Sequence, residues 1–254
     1  MNRAGGVRLA AALVALLIAA GCTSSSGDRQ FGAQMDKASD VNTQLGAKYL
    51  QNGNLQLAKT KLDKALRQNP DNADAHATYA LLDMRLDKPQ DARAHFERAL
   101  DSEPDNPQLL NNYGTFLCQE GDHEQGIEYF LKAASNRLYD TPAYAYANAG
   151  RCAMQADQPH KARGYLRKAL EVDPRVGSAL FDLAKLELQL GRPATAERYI
   201  QRYHKVATPA ADSLWLGIRI ARRLDDERTA REYGRRLLRE FPDSRQADEY
   251  LESR

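Results

Sequence analysis

Aromatic residues are scarce in this chain of 254: one tryptophan, six phenylalanines and twelve tyrosines. With a charged fraction of 28% and a wealth of Ala and Leu, that composition points to helices. Long apolar runs are also missing. The one run, Leu9 to Ala20, is too short for a helix that spans a bilayer. Catalytic signatures are absent too: no nucleophile elbow, no phosphate loop, no His and Cys cluster at metal-ligand spacing, and no carboxylate pair beyond what helix solubility requires. His76, His95, His123, His160 and His204 fall at unrelated places and read as solvated or packed side chains. The expectation is a protein that is not an enzyme, with no catalytic residues, metal, cofactor or small-molecule substrate. What remains is length enough for one large domain or two, with a substantial core.

The first residues carry an address. Arg3 and Arg8 precede the apolar run and small residues follow it, which is the layout of an export segment, residues 1–21. It closes Ile18-Ala19-Ala20-Gly21-Cys22, which resembles the lipobox of bacterial lipoproteins, although Ala19 stands where Leu is usual and the aliphatic bulk sits on Leu17 and Ile18. The resemblance implies cleavage before Cys22 and diacylglyceryl attachment to its thiol. An ordinary signal peptide cut near Ala20 would instead leave Cys22 as a free thiol. Thr23, where an Asp would favour the inner membrane, implies the outer membrane, with the lipid as anchor and the protein facing the periplasm. Without Arg3 and Arg8 the basic side chains number 34, equal to the acidic ones, so nucleic acid is not an expected partner. Residues 22–38 contain Ser24-Ser25-Ser26-Gly27 and no helical pattern; they read as a lipidated flexible tether, on the order of 50 Å long when extended.

From residue 39 the chain repeats. A column of small residues falls at Gly46, Ala80, Gly114, Gly150, Ala184 and Gly217, in steps of 34, 34, 36, 34 and 33. A second column, Ala58, Ala92, Gly126, Ala162, Ala196 and Ala230, steps 34, 34, 36, 34 and 34. Pro70, Pro104, Pro174 and Pro242 track the same register. Small residues allow two helices to cross closely. Leu62, Phe96, Phe130, Leu166 and Ile200, each one turn beyond a small residue, would fill the space beside the crossing. Pro89, Pro159 and Pro193 recur where proline opens a second helix. These marks resemble the tetratricopeptide repeat. The resemblance implies an all-α, right-handed superhelical solenoid of six helix-turn-helix repeats over 39–254, at about 39–72, 73–106, 107–142, 143–176, 177–209 and 210–243, with a capping helix over 243–252.

Cys118 and Cys152 fall on the first helices of repeats three and four. In an oxidising compartment they either form a disulfide, which needs Cα atoms within about 7 Å, or remain two buried thiols. Around them lie Leu110-Asn111-Asn112-Tyr113-Gly114, Phe116-Leu117-Cys118, Leu138-Tyr139-Asp140-Thr141-Pro142 and Asn148-Ala149-Gly150-Arg151-Cys152. Together with the export segment and the two-residue expansion between repeats three and four, these resemble the type IV pilus biogenesis lipoproteins PilF and PilW. The resemblance implies a disulfide between Cys118 and Cys152, and a pilotin that binds secretin subunits and promotes their localisation and multimerisation in the outer membrane. The spacing alone implies only a binding solenoid, so a general periplasmic adaptor for barrel assembly or peptidoglycan enzymes stays open. The expected partner groove is lined by Leu50, Leu81, Met84, Asn111, Thr115, Tyr144, Ala147 and Arg151, while Asn112, Tyr113 and Asn148 either face it or pack between repeats. The arginines crowding repeat six read as a solvated face with local ion pairs, or as a contact for acidic partners or lipid headgroups.

Overall fold

The computed structural model describes residues 24–253; the expected export segment and Cys22 lie outside the described residues. The described residues form thirteen helices and no strand: α1 (Ser24–Gln51), α2 (Leu55–Gln68), α3 (Ala73–Arg85), α4 (Pro89–Ser102), α5 (Pro107–Gln119), α6 (His123–Ser135), α7 (Pro142–Gln155), α8 (Pro159–Val172), α9 (Gly177–Gln189), α10 (Pro193–Val206), α11 (Ala211–Arg223), α12 (Glu227–Glu240) and α13 (Arg245–Glu252). None of them is long and apolar enough to cross a membrane. The chain divides into two compact units, Met1–Ser102 and Glu103–Arg254. In the first, α1 pairs with α2 and α3 with α4, and α3 also packs on α1; in the second, α5 to α12 form four hairpins stacked in sequence and α13 closes the last.

The two helices of each hairpin differ in how much they bury. A second helix buries one narrow stripe, such as Ala92, Phe96 and Ala99 on α4 or Ala162, Leu166 and Ala169 on α8. A first helix is covered on several sides, so α9 buries Ala179, Leu180, Leu183, Ala184 and Leu186 along with Asp182 and Glu187. The small-residue columns mark close crossings. A Cβ on Gly46 would lie 2.8 Å from the Leu62 side chain, one on Gly150 2.5 Å from Leu166, and one on Gly114 2.9 Å from the carbonyl oxygen of Gly126. Gly217 meets Tyr233 in the same way, and Gly234 lies directly under the Tyr250 ring of α13.

Each hairpin turns at one residue with positive φ, in the order Gly53, Asp87, Gly121, Asp157, Gly191 and Asp225. The next residue then donates its N–H five residues back, as in Lys88 to the Asp83 carbonyl at 2.9 Å and Asp122 to Leu117 at 2.8 Å. This is the Schellman closure of a helix C-terminus, which needs a left-handed residue, and Gly and Asp are among those that adopt it most readily.

The flexible tether expected over 22–38 is corrected by α1, which is helical from Ser24 onward. Ala33, Gln34, Met35, Lys37 and Ala38 are good helix formers. The packed part of α1, from Ser39 to Leu50, supplies the nucleus from which this exposed extension propagates. From Gln30 to Ala38 no residue is fully buried, so this stretch carries no apolar periodicity. The first hairpin is also more polar than its register suggests: Ser39 donates to the Ala65 carbonyl at 3.0 Å, Asn42 to Gln68 at 2.8 Å, and Asn72 to Ser39 at 3.0 Å.

Candidate partner-binding surface

In the second unit the first helices α5, α7, α9 and α11 lie side by side. Asn111 and Thr115 on α5 are half-buried, and Tyr144 on α7 is 50% exposed. Asn148 donates across the α5–α7 seam to the Asn111 amide oxygen at 3.0 Å. Among the described residues this leaves the Asn111 amide nitrogen and the Asn148 carbonyl for another partner, the donor and acceptor that an extended backbone requires. Thr115 turns its hydroxyl to the Asn111 carbonyl of its own helix at 3.0 Å. Tyr113 is buried, edge-on to Tyr129 with ring centroids 4.9 Å apart, so it packs the hairpin instead of lining a surface. Ala147 is wholly buried in the cluster around Cys152 and Leu166, because its place on α7 faces neighbouring helices; it does not line an accessible groove.

Arg151 is exposed but committed: its guanidinium meets Asp182 of α9 at 2.9 and 3.0 Å. Burial pushes the Asp182 carboxyl up, and the Arg151 charge opposes that shift. Five residues on, Glu187 takes Arg163 at 2.6 Å and Arg192 at 3.4 Å. Two buried carboxylates on one helix thus each hold a cation from elsewhere in the stack. Cys118 of α5 and Cys152 of α7 are joined as a disulfide, with Cα atoms 5.8 Å apart. The Cys118 sulfur lies against Gly126, where a side chain would collide with it.

In the first unit Leu50 is buried among Ala58, Leu62, Tyr79 and Leu82, and Leu81 packs partly buried against the same cluster. Leu50 is therefore a core residue, and Met84 is half-buried. Behind this cluster the structure joins two histidines that the sequence left apart. Nε2 of His76 lies 2.8 Å from the Pro70 carbonyl, which can only accept, so that nitrogen carries the proton. Its Nδ1 then accepts from Nδ1–H of His95 at 2.8 Å, which leaves Nε2 of His95 bare and 3.8 Å from Asp83. Burial pushes His95 down to about 4 and Asp83 up to about 6, and Asp83 Oδ2 has no hydrogen-bond partner. The Tyr79 ring stacks on His95 and gives its hydroxyl proton to Asp63 at 2.8 Å, which Lys59 also holds at 2.9 Å. Their signal in sequence was one helical turn: Tyr79 follows His76 by three and Asp83 follows Tyr79 by four, placing all three on one face of α3. Among the described residues no group of three or more His, Cys, Asp or Glu side chains could hold a metal ion.

Comparison with known proteins agrees with this architecture. Tetratricopeptide repeat families match residues 105–175 in one case and residues 43–82 and 147–212 in another. The type IV pilus assembly protein PilF of Pseudomonas aeruginosa is 34% identical over 244 residues, covering 94% of this chain and 97% of PilF. A solved structure of Pseudomonas aeruginosa PilF superposes with a TM-score of 0.75 at 33% identity, covering 87% of this chain and 100% of that one. The crystal structure of PilW, described as a widely conserved type IV pilus biogenesis factor, gives 0.77 at 31% identity over 84% of this chain and 98% of its own. Paired helices turning at six equivalent left-handed residues, small columns at the crossings and a likeness spanning nearly the whole of PilF lead to one conclusion: the chain belongs to the PilF/PilW family of tetratricopeptide repeat proteins of type IV pilus biogenesis.

Proposed function

We propose that this protein is a pilotin: a lipoprotein, anchored in the outer membrane through Cys22, that binds subunits of the pilus secretin and promotes their localisation and multimerisation there. The observation that carries the reading is the match over 97% of PilF in a chain whose Ile18-Ala19-Ala20-Gly21-Cys22 resembles a lipobox. The first-helix surface of the second unit supplies the chemistry. Tyr144 offers an exposed ring, and Asn111 and Asn148 offer an unused amide donor and acceptor to a polypeptide backbone. Acyl chains on Cys22 would then turn that binding into delivery.

The test is capture from envelope extracts with the tagged, full-length protein, probed for the secretin. Tyr144→Ala removes contact area from an exposed position and should leave the thermal midpoint unchanged while reducing secretin recovery. Capture of barrel-assembly or cell-wall proteins without secretin would replace the pilotin reading with a general adaptor. Replacing Cys22 by Ser should release the protein from the outer-membrane fraction; retention there would remove the lipid from the account.

A further inference from the structure

The arginines of the sixth hairpin are not one solvated face. Arg231, Arg236 and Arg239 on α12 lie within ion-pair distance of Glu227 or Glu240. On α11, Arg219, Arg222 and Arg223 stand three and four residues apart on one helical face, and no carboxylate among the described residues pairs with them. They line a cleft of about 400 Å³ whose other wall is Leu188, Gln189 and Gly191 at the end of α9. Arg222 is partly occupied, bonding Ser253 at 2.9 Å and lying 5.7 Å from the centre of the Tyr250 ring. Of the acids nearby, Glu187 is engaged with Arg163 and Arg192, Asp226 with the Thr229 N–H that opens α12 and Glu227 with Arg231, while Asp225 is exposed in the turn that follows α11. The ends of α9 and α11 each bring about half a negative charge and the exposed Asp225 up to one more, so about one of the three positive charges remains uncompensated.

We propose that this cleft is a subsite for an acidic side chain, Asp or Glu, of an extended polypeptide lying along the first helices of the second unit. Forked guanidinium groups match carboxylates in pairs of hydrogen bonds. The Gln189 amide can hold adjoining backbone, and Leu188 can take the methylene stem of a glutamate. No ring lines the cleft for a base to stack on, which argues against nucleic acid. Lys185, one turn before Gln189 on α9, continues the basic character toward Arg151 and Tyr144. The inference rests on the reading that this surface binds a polypeptide, and it adds that the bound segment is acidic.

The test is fluorescence anisotropy with the full-length protein in detergent, using fluorescein-labelled hexaglutamate and hexaglutamine at one low ionic strength. Hexaglutamate should bind and hexaglutamine should not. Arg219→Gln with Arg223→Gln should weaken hexaglutamate at least tenfold, whereas the same charge change on α12, Arg228→Gln with Arg235→Gln, should leave it within twofold. Arg219→Lys with Arg223→Lys keeps the charge but not the fork, and should fall between. Equal weakening by the α11 and α12 variants would reduce the effect to net charge and overturn the proposal. So would binding to phosphatidylglycerol vesicles, lost in the α11 variant, without binding of hexaglutamate, since the ligand would then be a headgroup phosphate. Loss of secretin capture with hexaglutamate binding intact would instead strike the pilotin reading alone.

Discussion

Gly126→Ala and Gly164→Ala are the same substitution inside two helices, and the structure gives them opposite signs. Alanine is favoured over glycine in a helix interior by about 1 kcal/mol, chiefly because glycine loses more backbone freedom on folding. On α8, a Cβ at Gly164 meets nothing within 4 Å, so the whole gain should appear. On α6, a Cβ at Gly126 would meet the Cys118 sulfur, and also the Gly114 carbonyl oxygen at 2.9 Å. A side chain can rotate away from a clash, but a backbone carbonyl inside α5 cannot without moving the helix. Overpacking of that kind costs about 1–3 kcal/mol and more when backbone must shift, so Gly126→Ala should destabilise by roughly 1–2 kcal/mol after the propensity gain. At roughly 2–4 °C per kcal/mol for a domain of this size, Gly164→Ala should raise the midpoint of the helical circular-dichroism melt, and Gly126→Ala should lower it by a similar or larger amount. The penalty should persist under reducing conditions, because the carbonyl remains when the sulfur is freed. Gly126→Ala as stable as Gly164→Ala would refute the close crossing of α5 and α6.

The buried acid–histidine contact in the first unit gives a pH dependence. Asp83 is raised to about 6, so the folded state holds its proton more tightly than the unfolded chain, and stability falls as pH rises from about 4 to about 6. Asp83→Asn should remove that loss, raising the urea midpoint at neutral pH by an amount worth at most ~3 kcal/mol and leaving it little changed near pH 4; equal effects at both would reject the assignment. His95 and His204 are both lowered to about 4, so they act in the other direction, stability being lost as pH falls from about 6.5 toward 4. Cys118→Ala with Cys152→Ala opens a loop closed over 34 residues and should cost up to about 4 kcal/mol in denaturant unfolding, on the chain-entropy account. Arg151→Ala strands a buried carboxylate and should destabilise by about 1–3 kcal/mol, whereas adding Asp182→Asn should recover most of it; purely additive losses would mean the two side chains do not interact.

Much of the fold was legible because repetition samples each structural demand six times. The small columns were readable since a helix crossing tolerates nothing larger, and Gly114 and Gly150 do meet Phe130 and Leu166 as that reasoning requires. The turn column was equally available in the letters, Gly or Asp at 53, 87, 121, 157, 191 and 225, but it shows itself only when the question is backbone handedness instead of burial. The binding surface was less legible, because a residue's place on a first helix does not say which of several covered sides it faces. Ala147 and Tyr144 lie three residues apart on α7, yet one is fully buried and the other half exposed. The paired histidines were missed for the opposite reason: they belong to two helices of one hairpin, and no single-helix pattern links His76 to His95. The helix from Ser24 onward is not legible in the letters, because propensity without an apolar stripe leaves no periodic signal.

A stack of repeats unfolds like a row of coupled switches, in which each element feels only its neighbours and boundaries between folded and unfolded stretches can form anywhere. The bond from Cys118 to Cys152 joins α5 to α7, the first helices of adjacent hairpins. Microstates in which one of those hairpins has melted and drifted away while the other stands are removed from the ensemble. The two then behave as one thick block, and partial unfolding of the second unit is pushed toward α9 to α13. The fraying end is thereby chosen by chemistry: it is the end that carries the arginine cleft.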